Sequence, residues 1–195
     1  MIMTNHKKYS TFNPNITLQE IAEMYRDTFV GKIFEFDVTG QDTPIRVKFE
    51  EGHLKHLIAL HYLYPLKGKK FRASKMYRSM LDGSLTLEML EKKNPQEYRK
   101  RLKRIQCFQL LPELLGQAYC GVGTAGGNMK EINFFFFDEA IDRYLYLGVK
   151  MEENTGLYIP VTFVENRTKK DEYTSDGESL INGLVILDHN AVLDQ

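Results

Sequence analysis

The pattern that most limits the fold runs from Lys32 to Phe49. Lys32-Ile33-Phe34-Glu35-Phe36-Asp37-Val38 alternates polar and apolar residues, and Pro44-Ile45-Arg46-Val47-Lys48-Phe49 does so again. Alternation sends successive side chains to opposite faces, so both segments read as half-buried strands. Thr39-Gly40-Gln41-Asp42-Thr43 supplies turn residues between them, which predicts an antiparallel hairpin. The hairpin delivers the chain to Phe49-Glu50-Glu51-Gly52-His53-Leu54-Lys55-His56-Leu57-Ile58-Ala59-Leu60-His61, where three of the five histidines fall within nine residues.

Helical spacing flanks this hairpin. Thr17 and Glu20 form a Thr-x-x-Glu capping box, and Leu18, Ile21, Ala22, Tyr25 and Phe29 continue it into a helix over 18–30 that ends at Gly31. Leu54, Leu57, Ile58 and Leu60 predict a helix from about 52 to 63. Further helices are expected over 71–81, over 84–91, and from Pro95 to about Gln117, the last bent at Pro112. Gly121 to Asn128 is glycine-rich but follows a helix and precedes a strand. Phosphate-binding loops need the reverse order, so it reads as a flexible connector. Ile132–Phe137, Arg143–Lys150, Leu157–Val164 and Leu184–Leu187 then read as strands. Helix, hairpin, helical middle and a run of strands predict an α+β fold, with a helical layer on a twisted, mostly antiparallel sheet. Residues 1–15 are expected to form a flexible N-terminal arm. Residues 16–195 should form one domain, with a charged, mobile excursion at 165–179.

No apolar run approaches the roughly 18 residues of a membrane span, and Met1–Lys8 lacks the apolar core of a signal peptide. Cys107 and Cys120 make neither a zinc pattern nor a disulfide framework. A cytoplasmic location without membrane contact is therefore expected. Net charge is zero but unevenly placed: residues 1–130 hold 21 Lys/Arg and 13 Asp/Glu, whereas residues 131–195 hold 5 and 13. Either the two halves neutralise each other in the fold, or the basic side meets phosphates.

Within the basic side, Lys67, Lys69, Lys70, Arg72, Lys75 and Arg78 follow one another without an acidic residue, with Phe71 and Tyr77 interleaved. Cations for phosphates and rings for stacking are the mixture a nucleic-acid groove uses. The second basic run, Arg99 to Arg104, reads as a solvated helix face. His53 and His56 share a helical face, while His61 points elsewhere on a continuous helix. No neighbouring carboxylate or thiol completes a ligand set, so no metal is expected. Imidazole titrates near neutral pH, so general acid–base work suits His56; the bland alternative is a core helix that carries histidines. Tyr158, Pro160 and Thr162 are expected on one side of a strand, with Pro160 marking an edge or bulge.

The order of these segments resembles the phage-associated barnase–EndoU–colicin–RelE-like (BECR) nucleases. The resemblance is closest to the group with a His-Leu-x-Gly helix and a Tyr-Pro-x-Ser/Thr strand. It rests on His53-Leu54-x-His56-Leu57, on Phe71-Arg72-Ala73-Ser74-Lys75-Met76-Tyr77 and on Gly156-Leu157-Tyr158-Ile159-Pro160-Val161-Thr162-Phe163. Ala59 stands where a glycine is commoner in the group, and Ile159 separates Tyr158 from Pro160. The resemblance implies a metal-independent endoribonuclease, a hydrolase without cofactor, acting as a toxin or in phage–host conflict. RNA would be its partner, with a protein inhibitor as a further one. His56 would be the acid or base, Arg72 and Lys75 would hold the scissile phosphate, and Thr162 would position it. His53, Lys70, Tyr77, Arg78 and Tyr158 would contact substrate. The alternative is a non-catalytic RNA- or protein-binding module of the same fold.

Overall fold

A computed structural model describes residues 9, 12–63, 73–123, 131–168 and 179–189. Most of the expected N-terminal arm and much of the 165–179 excursion lie outside these residues. The described helices are α1 (Leu18–Thr28), α2 (Leu54–Leu57), α3 (Leu60–Leu63), α4 (Ala73–Leu81), α5 (Leu87–Lys93), α6 (Pro95–Cys107) and α7 (Leu111–Gln117). The strands are β1 (Lys32–Val38), β2 (Ile45–Lys48), β3 (Tyr119–Val122), β4 (Phe134–Ala140), β5 (Arg143–Met151), β6 (Tyr158–Asn166) and β7 (Ser179–Asp188). The fold is α+β, as the element order predicts.

The strands close into a barrel in the order β1-β2-β6-β5-β4-β3-β7. Every pairing is antiparallel except β2 with β6, which touch at Val47 and Tyr158. The capping box of α1 forms as its residues dictate: the Thr17 hydroxyl accepts from the Glu20 amide while the Glu20 side chain accepts from the Thr17 amide. The helix lays Leu18, Ile21, Ala22 and Tyr25 into the core. There Tyr25 meets Phe29, Phe49, Tyr77 and Phe108 at ring-centroid distances of 5.5–6.4 Å. Burying each such side chain contributes about 1.5–3 kcal/mol.

The phenylalanine run of β4 feeds two layers. Phe136 faces the main core, 4.4 Å from Phe36, while Phe135 and Phe137 join Ile132 and Tyr146 in a smaller cluster on the opposite face. Three expectations need correction. The segment read as a connector begins with β3, whose Gly121 pairs with Phe135. The long helix from Pro95 is divided by a 3₁₀ turn at Phe108–Leu110, and Pro112 sits in the first turn of α7, where its missing N–H costs nothing. The helix expected over 52–63 is two short helices, a break with consequences for the site.

Candidate active site

The histidine stretch starts from a fixed point. The Tyr25 hydroxyl donates to the Glu50 carbonyl (3.0 Å), and the Glu50 amide donates to Nδ1 of His53 (3.1 Å). His53 therefore holds the entry to α2, and burial keeps its pKa below the ordinary histidine value. After Leu57 the chain stops being helical. The Ala59 amide bonds back to the His56 carbonyl (3.1 Å), and Ala59 adopts φ 59°, the left-handed conformation that glycine takes without strain. Ala59 is the residue at the group's glycine position, so the backbone demand of that motif is met here by alanine.

The reversal brings His61 back beside His56, with ring centroids 4.8 Å apart. Tyr62 follows at 4.0 Å from His61, and the Arg101 guanidinium lies 4.4 Å from the Tyr62 ring centroid. Arg104 ties the same wall to α6: its Nε donates to the Leu57 carbonyl (2.7 Å) and its Nη2 to the His56 carbonyl (2.8 Å). Both belong to the C-terminal turn of α2, where carbonyls lack the regular helical partner, and that of His56 also accepts from the Ala59 amide. Burial, with Arg101 nearby, lowers the Arg104 pKa to about 10, so it remains charged at neutral pH.

The facing wall is the outer side of the sheet. Between β5 and β6 the register shifts after Gly148, which pairs with Thr162, to Val149, which pairs with Pro160. Val161 is the extra residue of a β-bulge. The bulge overturns the expected alignment of Tyr158, Pro160 and Thr162. Tyr158 packs toward the main core against Phe134 (5.4 Å), whereas Thr162 turns to the outer face. Gly148 makes this possible, because a Cβ there would lie 2.8 Å from Thr162 Cγ2 and 2.8 Å from Ile132 Cδ1.

Between the walls is a cleft of about 410 Å³. Its helical side is His56, His61, Tyr62, Arg101 and Arg104, and its sheet side is Ile132, Lys150, Val161, Thr162 and Val164, with Glu131 at the rim. Lys150 pairs with Glu131 at 3.0 Å across half-exposed positions, a contact worth about 0–1 kcal/mol. The charge balance of the lining is cationic, which suits an anionic ligand. Both histidines have their pKa lowered. Desolvation, then Lys55 and Arg104, push His56 below its ordinary value. Desolvation, then His56, push His61 to about 4, with the Lys55 carbonyl partly offsetting them.

Of the residues predicted from sequence, His56 and Thr162 meet in this cleft. Lys75 and Arg78 are exposed on α4 and are not among the lining residues. Tyr77 is 2 % exposed and stacks edge-on with Tyr25, so its ring is not available to a base. His53 caps α2, and Tyr158 belongs to the core side of β6. Lys70 and Arg72 lie outside the described residues. His61, Tyr62, Arg101, Arg104 and Lys150 were not predicted. The spacing alone implies a continuous helix, so the left-handed break at Ala59 that returns His61 to His56 had no signal in the periodicity.

The α+β barrel thus carries a cationic cleft with paired imidazoles, an arrangement compatible with an anionic ligand. The chain matches the phage-Barnase-EndoU-ColicinE5/D-RelE like nuclease4 family over residues 17–182, and it belongs to that family of nucleases. Neither the curated proteins nor the solved structures include a match. Among the described residues no helix is long and apolar enough to cross a membrane, and no three His, Cys, Asp or Glu are grouped to hold a metal ion.

Proposed function

We propose that this protein is a metal-independent endoribonuclease that works in the cytoplasm as a toxin or in phage–host conflict. RNA supplies its own nucleophile: the ribose 2′-hydroxyl attacks the adjacent phosphorus, and the 5′ oxygen leaves. The reaction needs a proton acceptor, a proton donor and cations to stabilise the charge that develops on the phosphate. The observation that supports this reading is the convergence of His56 and Thr162 from distant segments into one cleft with Arg101, Arg104 and Lys150. His56 transfers a proton, Arg101 and Arg104 face the phosphate, and the Thr162 hydroxyl donates to a non-bridging oxygen. Among the described residues the lining holds one carboxylate, Glu131, which Lys150 engages, so that donor set does not favour a divalent cation.

The test is RNA cleavage in excess chelator, with analysis of the product ends. Cleavage to 2′,3′-cyclic phosphate and 5′-hydroxyl ends, reduced about 100-fold or more in His56→Ala, is expected. Salt-sensitive RNA binding without product would replace the nuclease with a binding module. Activity that returns only with added divalent metal would overturn metal independence.

A further inference from the structure

His61 has no role in the proton transfer assigned to His56, yet its surroundings are unusual for a structural residue. Its Nδ1 is shut off from solvent and has no hydrogen-bond partner among the described residues. A buried polar atom left unpaired destabilises the fold, and such atoms concentrate at working sites. The ring lines the cleft and lies 4.8 Å from His56, tilted by 42°. It is backed at 4.0 Å by Tyr62, whose ring lies against Arg101. The imidazole is thus held in place while one nitrogen is withdrawn from water.

We infer that His61 is the second proton-transfer group of this cleft, the base that takes the 2′-hydroxyl proton while His56 protonates the leaving 5′ oxygen. The inference rests on the RNA-cleavage reading. In the step, O2′ loses its proton to His61 as it bonds to phosphorus, the P–O5′ bond breaks, and O5′ receives the proton of His56. One proton enters His61 and one leaves His56, so the pair resets by exchange with water. The division follows from the surroundings. The charged and titratable groups facing His61 are His56 and Lys55 from the α2 side, Arg101 and Arg104 from α6, and Lys150 with Glu131 across the cleft. Desolvation first, then His56, Arg104 and Lys55, lower the His61 pKa and favour the neutral form a base needs. His56 is the more exposed residue of the two. A bound phosphate offsets the cations and lets it carry the proton an acid needs.

Leaving-group substitution separates the two roles. An RNA with a single cleavable linkage is compared with its analogue in which sulfur replaces the leaving 5′ oxygen. A thiolate leaves without being protonated, so loss of the acid no longer matters on that analogue. His56→Ala is expected to fall about 100-fold or more on the oxygen substrate and to recover within about tenfold on the sulfur one. His61→Ala and His61→Gln are expected to lose about 100-fold on both substrates. Circular dichroism and Tm confirm folding, and the glutamine variant stands in should the alanine variant fail to fold. Activity of both His61 variants within about threefold of wild type on the oxygen substrate would overturn the assignment, as would rescue of the His61 variants rather than His56→Ala by sulfur. If wild type cuts neither RNA, the nuclease reading itself fails, and this inference with it.

Discussion

The two walls of the cleft are built on opposite terms. The helical wall is short, broken and cationic. Four-residue α2 and α3 meet at a left-handed alanine, and an arginine from a third helix holds the break by its carbonyls. The sheet wall is long and mostly apolar, and it owes its shape to one bulge and one glycine. Regular secondary structure is good at making a surface, but a continuous helix of this length would not set His56 and His61 ring against ring. The break sets the two imidazoles together, and the bulge turns Thr162 and the strand surface to face them. Substitutions in the first wall should therefore act mainly on rate, and substitutions in the second on packing and cleft geometry.

The largest effect that would sharpen this contrast is expected at Arg104. Arg104→Ala removes a charge from the cleft and two hydrogen bonds from the break, so kcat should fall about 100-fold or more. Stability should fall by about 2 kcal/mol, the scale of hydrogen bonds made by a charged group. Arg104→Lys keeps the charge but loses the fork that spans two carbonyls, and should recover less than half of the stability. By contrast, Lys75→Ala and Arg78→Ala, outside both walls, should leave kcat within about threefold and lower only the salt dependence of RNA binding. A collapse of kcat in Lys75→Ala would move the working site toward α4 and break the comparison.

Next comes the sheet wall. Gly148→Val drives a branched side chain into Thr162, Ile132 and Phe135, and is expected to cost about 1–3 kcal/mol, or roughly 2–4 °C in Tm per kcal/mol. Thr162→Val leaves the packing intact and should lower kcat without moving Tm.

A smaller effect is expected from pH. Burial holds His53, His56 and His61 below the ordinary histidine value, so the unfolded chain takes up protons first as pH drops below about 6.5. Stability is therefore full above that pH and is lost as pH falls toward the folded value, about 4 for His61. Thermal melts between pH 7 and 4 should show Tm declining, with a shallower decline in His61→Gln. The smallest effect is expected at Ala59. Ala59→Gly relieves a left-handed residue at a gain of roughly 1–2 kcal/mol, offset by the loss of a buried methyl worth about 0.8 kcal/mol, so it should stay near wild type. Ala59→Val, branched and buried at the same φ, should be clearly destabilised.

Much of the scaffold was readable in the residues themselves. The capping box at Thr17, the strand from Lys32 to Val38 and the antiparallel hairpin all follow from local pattern, because capping and alternation are local physics. The bulge was half legible: Pro160 marked an interruption, but which residue would be extra depends on pairing with β5. The break at Ala59 was illegible to periodicity, since Leu54, Leu57, Ile58 and Leu60 fit an unbroken helix and nothing in alanine announces a positive φ. Composition shows where charge lies along the chain, but only packing decides that Arg101 and Arg104 of α6 line the cleft while Lys75 and Arg78 are not among its described lining residues.

The central claim is that ligand enters between the broken histidine segment and the bulged strand. Histidine-ring NMR during titration with an RNA made uncleavable by a 2′-deoxy sugar at the cleavage point tests it directly. The His56 and His61 ring signals are expected to shift, and their pKa values to rise as the bound phosphate offsets Arg101 and Arg104, while the His53 signals stay in place. Saturated binding that leaves the His56 and His61 signals unmoved would contradict it.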